Sequence, residues 1–132
     1  MSNLETVAVL TIPGNPCSWK NAKRIAINTK TGRPFITADG NCKKWMRDAI
    51  TNLKAQWRGK AALVDQLRAS YFVALGPRQH MDFDNSILGV NDALQAADVI
   101  QNDSQIVSFG ESWLSKTQRN NPRCEVRLER LT

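Results

Sequence analysis

Histidine is almost missing from this sequence: His80 is the only one in 132 residues, and nothing accompanies it at ligand spacing. That excludes a histidine-based zinc site, and a Ser/His/Asp triad built on any other histidine. Cysteine is nearly as scarce. Cys17, Cys42 and Cys124 are odd in number and widely spaced, which fits neither a disulfide framework nor a zinc motif, so they read as reduced packing residues. No segment approaches the roughly 18 consecutive apolar residues of a membrane span, and no membrane partner is expected. The opening, "MSNLETVAVL", has a glutamate and no basic region leading into a long apolar stretch, so no secretory signal is expected and a cytoplasmic location is. Negative charge is the last shortage. Eighteen Lys and Arg face twelve Asp and Glu, a net charge of +6, which suits a polyanionic partner and equally a merely soluble basic surface. The length is that of one ordinary domain and too short for two cores, so residues 1–132 are expected to fold as a single unit.

What is present is a clear succession of elements. "TVAVLTI" is β-branched and apolar on both faces, as in an inner strand, and "PGNP" ends it. "SWKNAKRIAINTKTGRPFIT" reads as two short strands around the "KTGR" turn, and it is the most basic local stretch, with Lys20, Lys23, Arg24, Lys30 and Arg33. From about 39 to 58, Met46, Ala49, Ile50, Leu53 and Trp57 recur at threes and fours, an amphipathic helix with Asp39 as a plausible cap. Lys43, Arg47, Lys54 and Arg58 form a stripe beside that apolar face, either phosphate-facing or solvated. "QLRASYFVAL" is a strand, "NSILGVNDALQAA" a helix with Ile87, Val90, Leu94 and Ala97 inward, "IVSFGESWL" a strand, and "CEVRLERL" alternates as a half-buried strand. The order predicts an α+β fold, a small mixed sheet with two main helices packed against it.

The informative stretch is "HMDFDNSILGVNDAL", residues 80 to 94. Residues two apart on extended backbone point the same way, so Asp82 and Asp84 can converge on one ion. Mg²⁺ takes oxygen ligands and typically only one or two protein carboxylates, with phosphate and water completing the shell. The bland alternative is that Asp84 caps the helix by accepting from the N–H groups of residues 86 or 87; it leaves Asp82 unexplained. A calcium loop of EF-hand type is excluded, because the places that need glycine and glutamate hold Ile87 and Ala93. Further along, "QNDSQ" puts Asp103 in the turn before a strand, with Asp98 five residues earlier.

"DFDN", then "NDAL", then "NDSQIV", with 21 residues from Asp82 to Asp103, resembles the RusA family of Holliday-junction resolvases. That family carries Asp-x-Asp-Asn, a downstream Asp-Ala-Leu and an acidic turn before a strand, and its opening is similar to "LTIPGNP" followed by a basic hairpin. The resemblance implies an Mg²⁺-dependent endodeoxyribonuclease that resolves four-way DNA junctions in recombination and repair, acting as a homodimer with one site per subunit. It puts the metal-binding, catalytic aspartates on Asp82, Asp84 and Asp103 and the family's asparagine on Asn85. Mn²⁺ is a possible substitute for Mg²⁺. Two departures stand out: the first of the family's paired acidic-turn aspartates is Asn102 here, and the family's lysine four residues after the second aspartate is Leu88.

A carboxylate site repels DNA phosphates, and Lys20, Lys23, Arg24, Arg33 and Arg78 are the candidates to offset it. Asn85 either orients a ligand carboxylate or caps the helix. Lys116, after the strand that Asp103 leads into, is the first candidate for the missing catalytic cation and Lys20 the second. Trp19 is a candidate to stack on unpaired bases, though a core tryptophan is commoner. A catalytically weak or inactive junction-binding protein, and a basic nucleic-acid-binding module whose aspartates are only caps, are the alternatives.

Overall fold

A computed structural model describes residues 3–18, 23–38, 40–77, 82–116 and 120–131, without the side chains of 23–25, 36–38 and 40. Trp19, Lys20, Asp39, Arg78 and His80 lie outside the described residues, as do the side chains of Lys23 and Arg24. Strand β1 (Leu4–Pro13) leads to a hairpin, β2 (Lys23–Ile27) and β3 (Pro34–Ala38), then helix α1 (Gly40–Gln56), strand β4 (Leu67–Ala74) and helix α2 (Phe83–Ala96). A 3₁₀ turn (Asp103–Gln105) then opens β5 (Ile106–Phe109), followed by β6 (Trp113–Ser115) and β7 (Arg123–Leu131). Five strands form one mixed sheet in the order β1-β7-β4-β5, with β6 also on β4; β2 and β3 pair only with each other. β4 runs parallel to β5 and β6 and antiparallel to β7.

One face of this sheet is covered by the helices. Leu67, Ala69, Tyr71 and Val73 of β4 and Cys124, Val126 and Leu128 of β7 point into a core with Met46, Ala49 and Leu53 of α1 and Val90 and Leu94 of α2. Trp45, unassigned by the sequence periodicity, joins them, its ring lying against Gly14. The other face is open, and this corrects the reading of β1 as an inner strand apolar on both sides: β1 is an edge strand, and Val9 is 64% exposed on the open face. That face also carries Arg68, Arg123 and Arg127 against Glu111, Glu125 and Glu129 around a groove of about 610 Å³. Its charges balance, so the chain's positive excess lies elsewhere.

Two contacts fix α2. Gly89 is a site of close approach: a Cβ there would overlap the carbonyl of Cys17, so only glycine lets the segment after β1 lie against the helix. On the sheet side, the Tyr71 hydroxyl donates to Asn91 Oδ1 at 2.6 Å in the core, where burial pushes the phenol well above its ordinary pKa. Asn91 is buried with it, a polar side chain held in the core by that bond. Tyr71→Phe is expected to cost about 1 kcal/mol, because the Asn91 acceptor stays buried without its donor; urea denaturation measures it.

The cysteines also depart from expectation. Cys17 and Cys42 are joined as a disulfide, with Cα atoms 5.8 Å apart, and only Cys124 is the free, buried thiol that the sequence suggested for all three. Their separation of 25 residues carries no recognisable motif. They meet because the segment after β1 crosses the first turn of α1.

Candidate functional site

The carboxylates of the DFDN stretch sit where β4 has ended and α2 begins. Asp82 is the N-cap residue, with extended backbone (φ −65°, ψ 145°), while Asp84 lies in the first helical turn. This corrects the expected cap position, which was Asp84. Although Asp82 occupies the cap, its carboxylate makes no capping hydrogen bond; the residue's carbonyl instead accepts the Ser86 N–H at 3.1 Å. Both aspartates are exposed. Helix capping thus consumes neither carboxylate, although the partial positive charge of the helix N-terminus favours both. Two exposed carboxylates two residues apart fit the donor set of Mg²⁺, a hard ion that accepts one or two protein carboxylates and fills its shell with water and phosphate.

Asp103 is not with them. β5 is parallel to β4, and Ile106 at the start of β5 stands opposite Leu67 at the start of β4, whereas Asp82 follows the far end of β4. Independently, the Asp103 N–H donates to Gln95 Oε1 at 3.0 Å, near the last turn of α2. Fourteen residues of helix make α2 roughly 21 Å long, so most of that length separates Asp103 from Asp84. Among the described residues, no group of three or more His, Cys, Asp and Glu could share a metal ion. The Asn102 departure has a local explanation: Asn102 Oδ1 accepts from the Ser104 N–H at 2.9 Å and Gln105 Oε1 from the Asn102 N–H at 2.8 Å, a reciprocal cap of the 3₁₀ turn. Asp98, at φ 59°, ends α2 just after its cap.

The sheet end that holds Asp82 and Asp84 also gathers cationic segments. β6 ends at Ser115 opposite Ala74, the last residue of β4, which puts the exposed Lys116 at this end. The root of the basic hairpin is there too: Asn15 Oδ1 accepts the Gly76 N–H at 2.7 Å, and the Gly14 N–H donates to the Pro122 carbonyl at 2.8 Å. Arg33 is exposed in the hairpin turn. Lys43, Arg47, Lys54 and Arg58 are exposed along and just beyond α1. Leu88, 45% exposed, stands one turn beyond Asp84 on the solvent side of α2.

A family model described as Endodeoxyribonuclease RusA matches residues 13–129, nearly the whole chain. The chain belongs to the RusA family. No curated protein matches it. Membership carries endodeoxyribonuclease activity at the level of the family, with branched DNA, the Holliday junction, as its substrate. The RusA match begins at Pro13, so it includes the hairpin root as well as the DFDN stretch and the 3₁₀ turn. Sequence reasoning missed Gly89 and the Cys17–Cys42 pair. Gly89 carried one signal, a glycine inside a helical pattern, which marks a close approach without saying to what, and the cysteine pair carried none.

Proposed function

We propose that this RusA-family chain is an Mg²⁺-dependent endonuclease that resolves four-way DNA junctions in recombination and repair, working as a homodimer. The observation that carries the reading is the pair Asp82 and Asp84, exposed at the mouth of α2 with neither carboxylate spent on a cap. These two residues would hold the ion. When bound, Mg²⁺ supplies water activation and charge stabilisation for phosphodiester hydrolysis, with Mn²⁺ a possible replacement. The chain's own work is to bring DNA to that point. Lys20, Lys23, Arg24, Arg33 and Arg78 offset the repulsion between carboxylates and phosphates, and each phosphate they neutralise releases counterions. Lys116, from the neighbouring strand end, faces the scissile phosphate and steadies the charge that builds on it. Asn85 holds a ligand carboxylate in place.

Asp103 has no path to its own chain's Asp82 and Asp84, so it enters the reaction only by reaching a second chain. A two-fold dimer provides such an arrangement and presents two equal sites to a roughly two-fold junction. Leu88, standing where the family has lysine, favours one other reading, a junction-binding protein that cleaves weakly or not at all. Nicking of a synthetic four-way junction with Mg²⁺ and with EDTA, beside a linear duplex, separates the two. The expected result is metal-dependent nicks near the crossover and an uncut duplex. Binding without nicks leaves the inactive reading, and equal binding to both DNAs removes junction selectivity.

A further inference from the structure

The paired cysteines bracket the basic hairpin: β2 and β3 are the elements between Cys17 and Cys42. These strands pair with each other and not with the five-stranded sheet, and a lone two-stranded hairpin is marginal by itself. Ile27 is 67% and Phe35 48% exposed, so neither is seated in the core. The hairpin's placement therefore depends on its root. The incoming side is pinned by the Asn15 and Gly14 hydrogen bonds and by the Cys17 carbonyl against Gly89. The disulfide then ties that side to Cys42, on the outgoing side in the first turn of α1.

We propose that the Cys17–Cys42 disulfide is a redox latch on the basic hairpin: closed, it holds the hairpin's root against α2, the helix that Asp82 and Asp84 open, and opened by a small thiol reductant it lets the hairpin swing and weakens junction binding. This rests on the reading that the hairpin contacts DNA. A small thiolate attacks the sulfur of Cys17, the more accessible of the two, and displaces Cys42 as a thiolate that takes up a proton; a second small thiolate then frees Cys17. In sum, one protein disulfide and two small thiols give two protein thiols and one small disulfide. Oxidation is the reverse, with a small disulfide as oxidant. Cys124 does not intervene, because it is fully buried on β7, where burial pushes its thiol up to about 12. Disulfides that open and close this way are the usual kind in reducing compartments.

The test compares air-oxidised with dithiothreitol-treated protein in two assays. Trypsin digestion without DNA reads the hairpin directly through Lys23, Arg24 and Lys30. A gel shift with a four-way junction reads affinity. The oxidised form should show one titratable thiol on denaturation, and it should be cut in the hairpin about fivefold more slowly and bind the junction about fivefold more tightly, the scale of ordering a residue or so. Cys42→Ser, and equally Cys42→Ala, should match the reduced form under both conditions. Three titratable thiols in the oxidised form, equal digestion rates in the two states, or equal affinities despite different digestion would each overturn the latch. Absence of junction binding in both states would instead count against the DNA reading, and the digestion ratio would still support or overturn the latch on the hairpin.

Discussion

Asp84→Asn is expected to lower metal-dependent junction cleavage by at least about a hundredfold, since even residues that only support a metal ligand are worth 10–100-fold. Junction binding should be unchanged or tighter, because the variant carries one fewer negative charge against the phosphates. Asp84 is not the cap but an acidic residue of the first turn, so a purely structural Asp84 would lose only a helix-dipole contribution of about 0.3–1 kcal/mol and leave cleavage near normal. Near-normal cleavage therefore sinks the metal assignment. The position of Asp103 extends the test. If Asp103 completes the site of a second chain, mixing Asp84→Asn with Asp103→Asn creates heterodimers in which one site has an intact Asp82–Asp84 pair and an intact Asp103. Such mixtures should regain single-strand nicking but not paired cleavage. If all three residues served one chain's own site, every site in the mixture would be defective and no activity would return.

Lys116→Ala is expected to cleave at least tenfold more slowly with junction binding changed much less, a loss of about 1.4 kcal/mol of transition-state stabilisation and within what one phosphate-facing cation provides. The motivation is topological. β6 is parallel to β4, so its last residues share the end of the sheet from which the chain runs on to Asp82. Leu88→Lys is the companion experiment: Leu88 is 45% exposed, so lysine there should leave the fold intact and cleavage at least as fast as in the parent. Single-turnover rates and binding isotherms for both variants decide the matter. Normal cleavage by Lys116→Ala removes the substitute-cation idea. Cleavage by Leu88→Lys and none by the parent would make the inactive junction binder the right description.

Local pattern alone determined most of the elements and the composition of the core. The period of three and four in Met46, Ala49 and Leu53 and the alternation of Cys124, Val126 and Leu128 reach the helix and strand seen here, because each element must bury one face and its sequence repeats with its own geometry. The DFDN stretch was legible as a junction into a helix, but not the backbone of its aspartates: the extended conformation expected for both ends at Asp82, and Asp84 already lies in the first helical turn. What joins distant segments was not legible. Spacing cannot say that Val9 faces outward, since an edge strand and an inner strand can share a sequence and differ only in their neighbours. Nor does it distinguish Cys17 and Cys42 from Cys124, because a pair is made by two segments crossing and not by the distance between them in the chain. The same reason governs Asp103. Its distance in sequence from Asp82 is compatible with one shared ion, and only the parallel pairing of β5 with β4 carries it to the opposite end of the sheet. Parallel strands run in the same direction, and β5 starts opposite the start of β4, so a residue leading into β5 and a residue following β4 stand a strand's length apart.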